Sequence, residues 1–427
     1  MLRLLSLAAL AALILGIAGC SKGGSDNTST QWKNNNPVFQ AKYAQFLTAF
    51  AQEYNDPERV QFISGTGLGK WGEGHSVRYS TGNMTPRESV FNWITNLNAS
   101  LFTQVPVVIN YHRWILTGTE WNGTQYDPNS ERLLDSAVVR GFSLRHDAMG
   151  MKTYYSTWEK NYVHRYIHQR PVLSEGGWVK ASHGNSPMNN DGYADWADVR
   201  LGEFTDAQDA HANMMDFRYN SNITSGETYS WFNDAFYLVK RFMREGGYHL
   251  YPKTVTVPSM MTSSGHVTLS SVWANSGWGY CPTNIPQWNQ KYKVAYALLQ
   301  GNTVRKIFVA ENSDLSTIVQ NDDQSFSTQF SLTGVQPGYY TWAVGLIDKT
   351  NNNAIGLDVS VADVYKSNGW VLLNNVVVTS VSSGINSIAD MKQGISVPNQ
   401  CYNLLGQRVS RDTKGLVIVN NKKLFRK

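Results

Sequence analysis

The sequence predicts an α/β half built on parallel strands, followed by an all-β half and a short β tail. Three observations predict it. From residue 37 to about 251, strand-like apolar runs alternate with helical patterns; the markers Phe62, Val107, Phe142, Val172 and Met214 follow one another at 45, 35, 30 and 42 residues, steps that suit βα units carrying loops. From about 252 to 381 the pattern changes to short β-prone runs separated by turn residues, which reads as an antiparallel β-sandwich. Finally, Glu73 and Glu175 each stand just past a strand-like run, 102 residues apart, and three strand–helix steps bring two such positions to one mouth of a β/α barrel.

At the N-terminus, Arg3 forms a short positive region, residues 4–15 are apolar, and Ile17-Ala18-Gly19-Cys20 ends the run. Residues 1–20 are too short and wrongly flanked for a membrane-spanning helix and read as a signal peptide. The small residue before Cys20 resembles a bacterial lipobox, which implies cleavage there, lipid on the Cys20 thiol, and a place in the cell envelope on the periplasmic or surface face of the outer membrane. Residues 21–36, rich in Ser, Asn, Gly and Thr, read as a flexible tether.

Helical periodicity then runs through Phe39, Tyr43, Phe46, Leu47 and Phe50, with further helices expected at 86–100, 130–139, 158–168 and 229–245. The strands between them are expected within 60–69, 105–110, 141–145, 171–173 and 211–217. In the second half the β-prone runs are 266–275, 291–300, 303–309, 339–347 and 371–380, with turns at Gln336-Pro337-Gly338 and Asn351-Asn352-Asn353. Tyr292, Val294, Tyr296 and Leu298 alternate as a half-buried strand should. Residues 402–409 and 414–420 look like two small strands with a turn, within a 382–427 tail similar to those common on exported proteins of Bacteroidetes-type bacteria.

Aromatic residues make up 12% of the 427, with 14 Trp and 22 Tyr, while charged residues make up only 16%. Flat rings with a polar edge suit stacking on sugars, and equally fill cores. The net charge of +5 is small for the length and its only dense basic block is Lys422, Lys423, Arg426 and Lys427. With no zinc-knuckle, basic-helix or RNA-binding pattern, nucleic acid is not an expected partner. Cys281 and Cys401 read as buried free thiols.

The segment from Val60 through Trp71-Gly72-Glu73-Gly74-His75 resembles the fourth-strand motif of the bacterial family catalogued as domain of unknown function 4832. The likeness continues through Gly246-Gly247-Tyr248-His249 and the run from Trp273 to Pro282, and covers residues 37–381. It implies a glycosidase-like (β/α)8 TIM-type barrel, here strands four to eight in residues 37–251, and a C-terminal β-sandwich in 252–381. In the broader glycosidase clan with this barrel the acid/base glutamate follows strand four and the nucleophile strand seven. The resemblance therefore implies Glu73 as acid/base and Glu175 as nucleophile. Gly72 stands where that clan usually has asparagine. The first three strands should precede residue 36, yet a βα unit needs about 30 residues. A barrel lacking three strands exposes two sheet edges and part of its interior, a motive for self-association or completion by another chain.

Two converging carboxylic acids are what glycosidic bond cleavage needs. The acid must be held protonated, by burial or by a neighbouring carboxylate, and Trp71 and His75 flank Glu73. His112 and Arg113 after the Val107 strand, and Arg145 and His146 after the Phe142 strand, fall at the same expected mouth, where they can orient a carboxylate or bind sugar hydroxyls. Trp178 can form a sugar platform or cap the barrel. His164 and His168, four apart on an expected helix, lack the glutamate of a zinc-protease motif and read as solvent-facing, so neither metal nor cofactor is expected. The expected function is a lipid-anchored, glycoside-hydrolase-like protein acting on a glycan. The alternative is a non-catalytic carbohydrate-binding or scaffold lipoprotein derived from the same barrel.

Overall fold

A computed structural model of the protein describes residues 33–80, 84–118, 127–217, 227–355, 357, 366–380, 401–402, 408–410, 415–419 and 422–426. The expected signal peptide, Cys20 and the tether as far as residue 32 lie outside the described residues. So does the side chain of Cys401, whereas Cys281 is a buried free thiol. Among the described residues no helix is long and apolar enough to cross a membrane.

The first half alternates helix and strand. Helix α1 (Pro37–Tyr54) starts at Asn36, whose side chain accepts from the amides of Val38 and Phe39, with proline in the first turn. There follow β1 (Ile63–Ser64), α2 (Arg87–Leu101), β2 (Val107–Asn110), α3 (Asn129–Val139), β3 (Ser143–Met149), α4 (Thr157–His164), β4 (Val172–Gly176), short α5 (Lys180–His183) and α6 (Ser186–Asn190), α7 (Trp196–Asp209), β5 (Met214–Asp216) and α8 (Glu227–Glu245). The strands pair in chain order and all parallel, forming a half-barrel sheet. β2 is buried at all four positions, as a parallel strand covered on both faces must be. Val90, Phe91 and Ile94 of α2, Leu133 and Leu134 of α3 and Phe204 of α7 close over Ile109, Leu144 and Val172. Among the described residues β1 and β5 are each paired on one side only.

One helix has no counterpart in the sequence pattern, and one expectation is corrected. α7 carries buried Arg200, Glu203 and Asp206 beside Val199, Phe204 and Ala207, so it shows no clean apolar stripe to periodicity. α4 stops at His164, which pairs with Asp209 at 2.9 Å, while His168 lies beyond it at φ 59°. The two histidines do not share a helix face.

The second half begins with β6 (Leu250–Thr256), β7 (Met260–Thr262) and β8 (His266–Asn275). It continues with β9 (Tyr292–Gln300), β10 (Thr303–Val309), β11 (Gln324–Ser331), β12 (Gly338–Asp348), β13 (Asn353–Ile355), β14 (Lys366–Ser367) and β15 (Trp370–Thr379). A three-stranded antiparallel sheet, β11-β8-β6, and a curled larger sheet following β10-β9-β12-β15-β14 contribute to one core, with Leu269 and Trp273 from the first and Tyr296, Leu298 and Trp342 from the second. β9 is buried on both faces rather than one, because Ala295, Ala297 and Leu299 pack against Ile347 and Trp370 on its other side. In the tail four short strands, β16 (Cys401–Tyr402), β17 (Arg408–Val409), β18 (Gly415–Val419) and β19 (Lys422–Arg426), form one antiparallel sheet, where the sequence predicts two.

The halves meet beneath the N-terminal ends of the parallel strands. Trp278, 3% exposed, inserts from the second half: its Nε1 donates to Ala212 O at 2.9 Å and its ring meets Phe204 and Phe242 edge-on. Burying such a side chain contributes about 1.5–3 kcal/mol. His211 Nδ1 donates to Trp278 O at 2.7 Å, and Asn213 Nδ2 to Tyr280 O at 2.7 Å. Gly279 N donates to Gly247 O at 2.6 Å, and a Cβ on Gly279 would stand 2.8 Å from that same oxygen. The Gly246-Gly247 and Trp273–Pro282 motifs are therefore one joint, which leaves the C-terminal ends of the parallel strands open.

Candidate active site

Four carboxylates stand at those open ends: Glu73 in the loop after β1, Asp147 in β3, Glu175 in β4, and Asp216 in β5, in register with Glu175. The loop that carries Glu73 is tied down by its backbone. Lys70 N donates to His75 O at 2.8 Å, Gly74 N to Leu68 O at 2.9 Å, and Glu73 N to Lys70 O at 3.1 Å. Gly72 and Gly74 take φ of 79° and 83°, a region that disfavours side chains, and a Cβ on Gly74 would meet Ile115 Cδ1 at 2.5 Å. The glycine at 72 thus answers a backbone demand. His112 Nε2 donates to Glu73 O at 3.0 Å, fixing the loop from the end of β2.

The side chains converge on Arg145. Its Nη2 contacts Glu175 Oε2 directly and lies 3.5 Å from Glu73 Oε1. Glu73 Oε2 is 3.5 Å from His75 Nε2 on the other side. Burial raises the Glu73 carboxyl above its ordinary value; the His75 contact opposes this, the charge of Asp147 and a hydrogen bond to it add to it, and Arg145 opposes it. Asp147 moves the other way. Burial alone would raise it, but His146, the Glu73 hydrogen bond, Arg145 and His112 bring it down to about 2. Asn110 Nδ2 donates to Asp147 Oδ1 at 2.8 Å.

Glu175 lies on β4 itself. The two glycines after it let neighbours close in: a Cβ on Gly176 would stand 2.7 Å from Glu203 Oε1 of α7, and one on Gly177 would collide with Met151. Glu203 is buried and paired with Arg200 at 2.9 Å, so the strand end is set by a rigid helix.

Trp71, Glu73, His75, Asp147, Tyr154 and Glu175 line a cavity of about 360 Å³. A second of about 360 Å³, lined by Phe62, Arg145, Glu175, Met214 and Asp216, adjoins it at Glu175. Each is the size of a small-ligand pocket. Trp71 is 70% exposed at φ 54°, its ring 4.4 Å from Lys70 Nζ, so it edges the mouth and does not wall off Glu73 from water.

Four predicted residues stand elsewhere or act indirectly. Arg113 does not reach the cavity: it is buried, pairs with Glu159 at 2.8 Å, and donates to Tyr154 O and Thr153 O, bracing the start of α4. His146 is fully buried; neighbouring residues on a strand point to opposite faces, and it turns away from Arg145 into Tyr111, Tyr154 and Tyr155. His112 acts on Glu73 through its backbone alone, and burial lowers its imidazole to about 3. Trp178, 4% exposed, donates from Nε1 to Gly150 O at 3.2 Å and packs with Trp114 and Tyr193 as a cap.

No family model matches the chain, and no curated protein does. Among solved structures it is similar to an endo-β-1,4-mannanase from Thermotoga petrophila at 11% identity, over 82% of this chain and 73% of that one, with a TM-score of 0.27. It is similar to endo-glycoceramidase II from a Rhodococcus species, solved as a lactosyl-enzyme intermediate, at 12% identity over 70% and 64%, TM-score 0.27. A CARDB domain from Pyrococcus furiosus, complexed with di-metal ions, matches 31% of this chain and 94% of its own at 14% identity, TM-score 0.19. Overlaps this slight leave the reading of the site to its own side chains.

Asp147 is the residue that the sequence hides. Its neighbours Arg145 and His146 read as the end of a strand, and an Arg-His-Asp run reads as a local ion pair. β3 instead runs on to Met149, and that extension puts Asp147 on the cavity side with Arg145, two residues away. Among the described residues no cluster of His, Cys, Asp and Glu is arranged to hold a metal ion.

Proposed function

We propose that the chain is a glycoside-hydrolase-like protein that cleaves a glycan with retention, Glu73 serving as acid/base and Glu175 as nucleophile. One observation carries the reading: both carboxylates touch the same Arg145 nitrogen, one at 3.5 Å and the other in direct contact. Allowing the second an ordinary N–H···O length of about 3 Å, the two oxygens lie within about 6.5 Å of each other. That upper bound only reaches the low end of the roughly 6.5–9.5 Å that leaves room for a water between acid and base, which favours the closer spacing of a nucleophile pair. The electrostatics fit as well, since burial raises the Glu73 carboxyl, the direction an acid needs, while Glu175 faces a guanidinium.

In this mechanism Glu73 protonates the leaving oxygen as Glu175 attacks the anomeric carbon. Water then releases the sugar, with Glu73 taking its proton. Trp71 offers a stacking face at the mouth. The finer parts of the proposal are kinship with the domain of unknown function 4832 family, a sandwich second half, and a lipid anchor on Cys20 in the cell envelope.

The test is turnover on a panel of 4-nitrophenyl glycosides and polysaccharides by the full chain, Glu73→Gln and Glu175→Gln. Loss of turnover in both variants supports the reading. Glycan binding without turnover, unchanged by either substitution, favours a carbohydrate-binding protein, a reading to which the pairing of β1 and β5 on one side only among the described residues lends weight. Turnover that survives in both variants rules out the two-carboxylate mechanism.

A further inference from the structure

β3 shifts its register against β4 between His146 and Met149, and Ala148 there takes a left-handed backbone at φ 59°. An irregularity of this kind bends a strand and re-aims a side chain. A non-glycine residue in that conformation persists only where its surroundings hold it. Just before Ala148 stands Asp147, 8% exposed, which lines the same cavity as Glu73 and Glu175. Asn110 grips it from β2 with two hydrogen bonds: Nδ2 to Asp147 Oδ1 at 2.8 Å, and Asp147 N to Asn110 Oδ1 at 3.4 Å.

We infer that Asp147 is the positioning residue for the catalytic proton: an anionic acceptor, held at the end of β3 by Asn110, that keeps that proton on Glu73. The inference rests on the reading of Glu73 as acid/base and adds a third carboxyl to it. Two acids that meet in a buried site hold one proton between them, and the surroundings decide which acid ionises. The groups that face the pair are His75 on its own loop, His112 beyond β2, Arg145 and His146 on β3, Tyr154 and Glu159 beyond β3, Glu175 on β4, and His183 on the cavity wall. Burial lowers the imidazoles of His112 and His146, so Arg145 is the fixed cation. Asp147 accepts from Asn110 Nδ2 and lies in the field of the Arg145 charge, which makes it the member that ionises. Glu73, on the wall of the same cavity, is then the member that keeps the proton.

The proton balance gives Asp147 a part in both half-reactions. When Glu73 gives its proton to the leaving oxygen, the glycosidic C–O bond breaks and the anomeric carbon bonds to Glu175. Two carboxylates, Glu73 and Asp147, are then left side by side. Their repulsion makes Glu73 a stronger base for the second step, in which water attacks that carbon, the ester bond to Glu175 breaks, and the proton of water goes to Glu73. Asp147 ends as it began, an anion.

The test is carbon-13 NMR titration of the full chain labelled at glutamate Cδ, with Glu73→Gln to assign the signal. Asp147→Asn replaces an acceptor by a donor, and Asp147→Ser removes the charge in a smaller side chain should the first variant fold poorly. In the parent protein Glu73 should titrate above the ordinary glutamate value of about 4.3. The midpoint should fall by about one pH unit or more in either Asp147 variant, with the alkaline limb of the pH–rate profile moving with it. A Glu73 signal in the ordinary range, or one that stays put in a folded Asp147 variant, overturns the inference. A shifted signal in a protein that turns over no glycoside supports the proton pair and counts against the hydrolase reading alone.

Discussion

Glu73 and Glu175, 102 residues apart in the chain, rest on one nitrogen of a single guanidinium, Arg145 Nη2. The planar guanidinium fixes where that nitrogen sits. Arg145→Lys keeps the charge but puts it on a flexible, strongly hydrated stem, so kcat on the responsive glycoside should fall by roughly 10- to 100-fold with less change in KM. Arg145→Met leaves two carboxylates facing each other with no cation between them, and should also lower stability by about 1.5–3 kcal/mol. Steady-state kinetics beside urea unfolding of the three proteins checks both statements.

The acid limb of stability should belong to Asp147. Its carboxyl is held down to about 2. A depressed carboxyl contributes stability that is complete above the unfolded value of about 3.9 and is lost as pH falls through the folded value, here on the order of 2 kcal/mol. Glu73 has the opposite sign: its raised value means a contribution present below about 4.3 and lost as pH rises through the folded value. Urea midpoints for Asp147→Asn should therefore fall less steeply with acidification than those of the parent chain.

Two tryptophans should separate binding from folding. Trp71 is 70% exposed at the mouth and Trp178 is 4% exposed under it. Trp71→Ala should raise KM several-fold, leave kcat within about twofold, and move stability by no more than about 0.5 kcal/mol. Trp178→Ala should cost about 3–5 kcal/mol through the cavity it leaves. Thermal melts and substrate titrations of the two variants give the contrast directly.

The sequence shows the order of elements plainly because α1, α2 and α3 carry apolar residues at helical spacing and β2 is an unbroken apolar run. It shows the two glutamates because each follows such a run. What it hides is the effect of tertiary context on charged residues. Arg113 reads as a site residue by its place after β2, yet it turns to Glu159, which is buried and takes both its amide and its guanidinium. Arg200, Glu203 and Asp206 break the apolar stripe of α7, so the helix that sets Glu175 through Gly176 leaves no periodic trace. Asp147 is hidden because an irregular strand end has no pattern to read.

The Arg113–Glu159 pair should behave as structure. Arg113→Ala leaves Glu159 buried without its partner and should cost about 3–5 kcal/mol. Arg113→Ala together with Glu159→Gln should recover part of that loss, and the folded fraction of each variant should keep the pH–rate profile of the parent. Denaturant unfolding of the single and double variants measures the coupling.

The most direct test of the two-carboxylate site is trapping with activated 2-deoxy-2-fluoro glycosides of several sugar configurations, followed by peptide mass spectrometry. The geometry predicts one covalent sugar on the peptide spanning residues 171–177, attached at Glu175, forming in Glu73→Gln as well because an activated leaving group needs no proton, and not at all in Glu175→Gln. A label on another residue, or steady turnover of the parent glycoside with no label on Glu175, would contradict it.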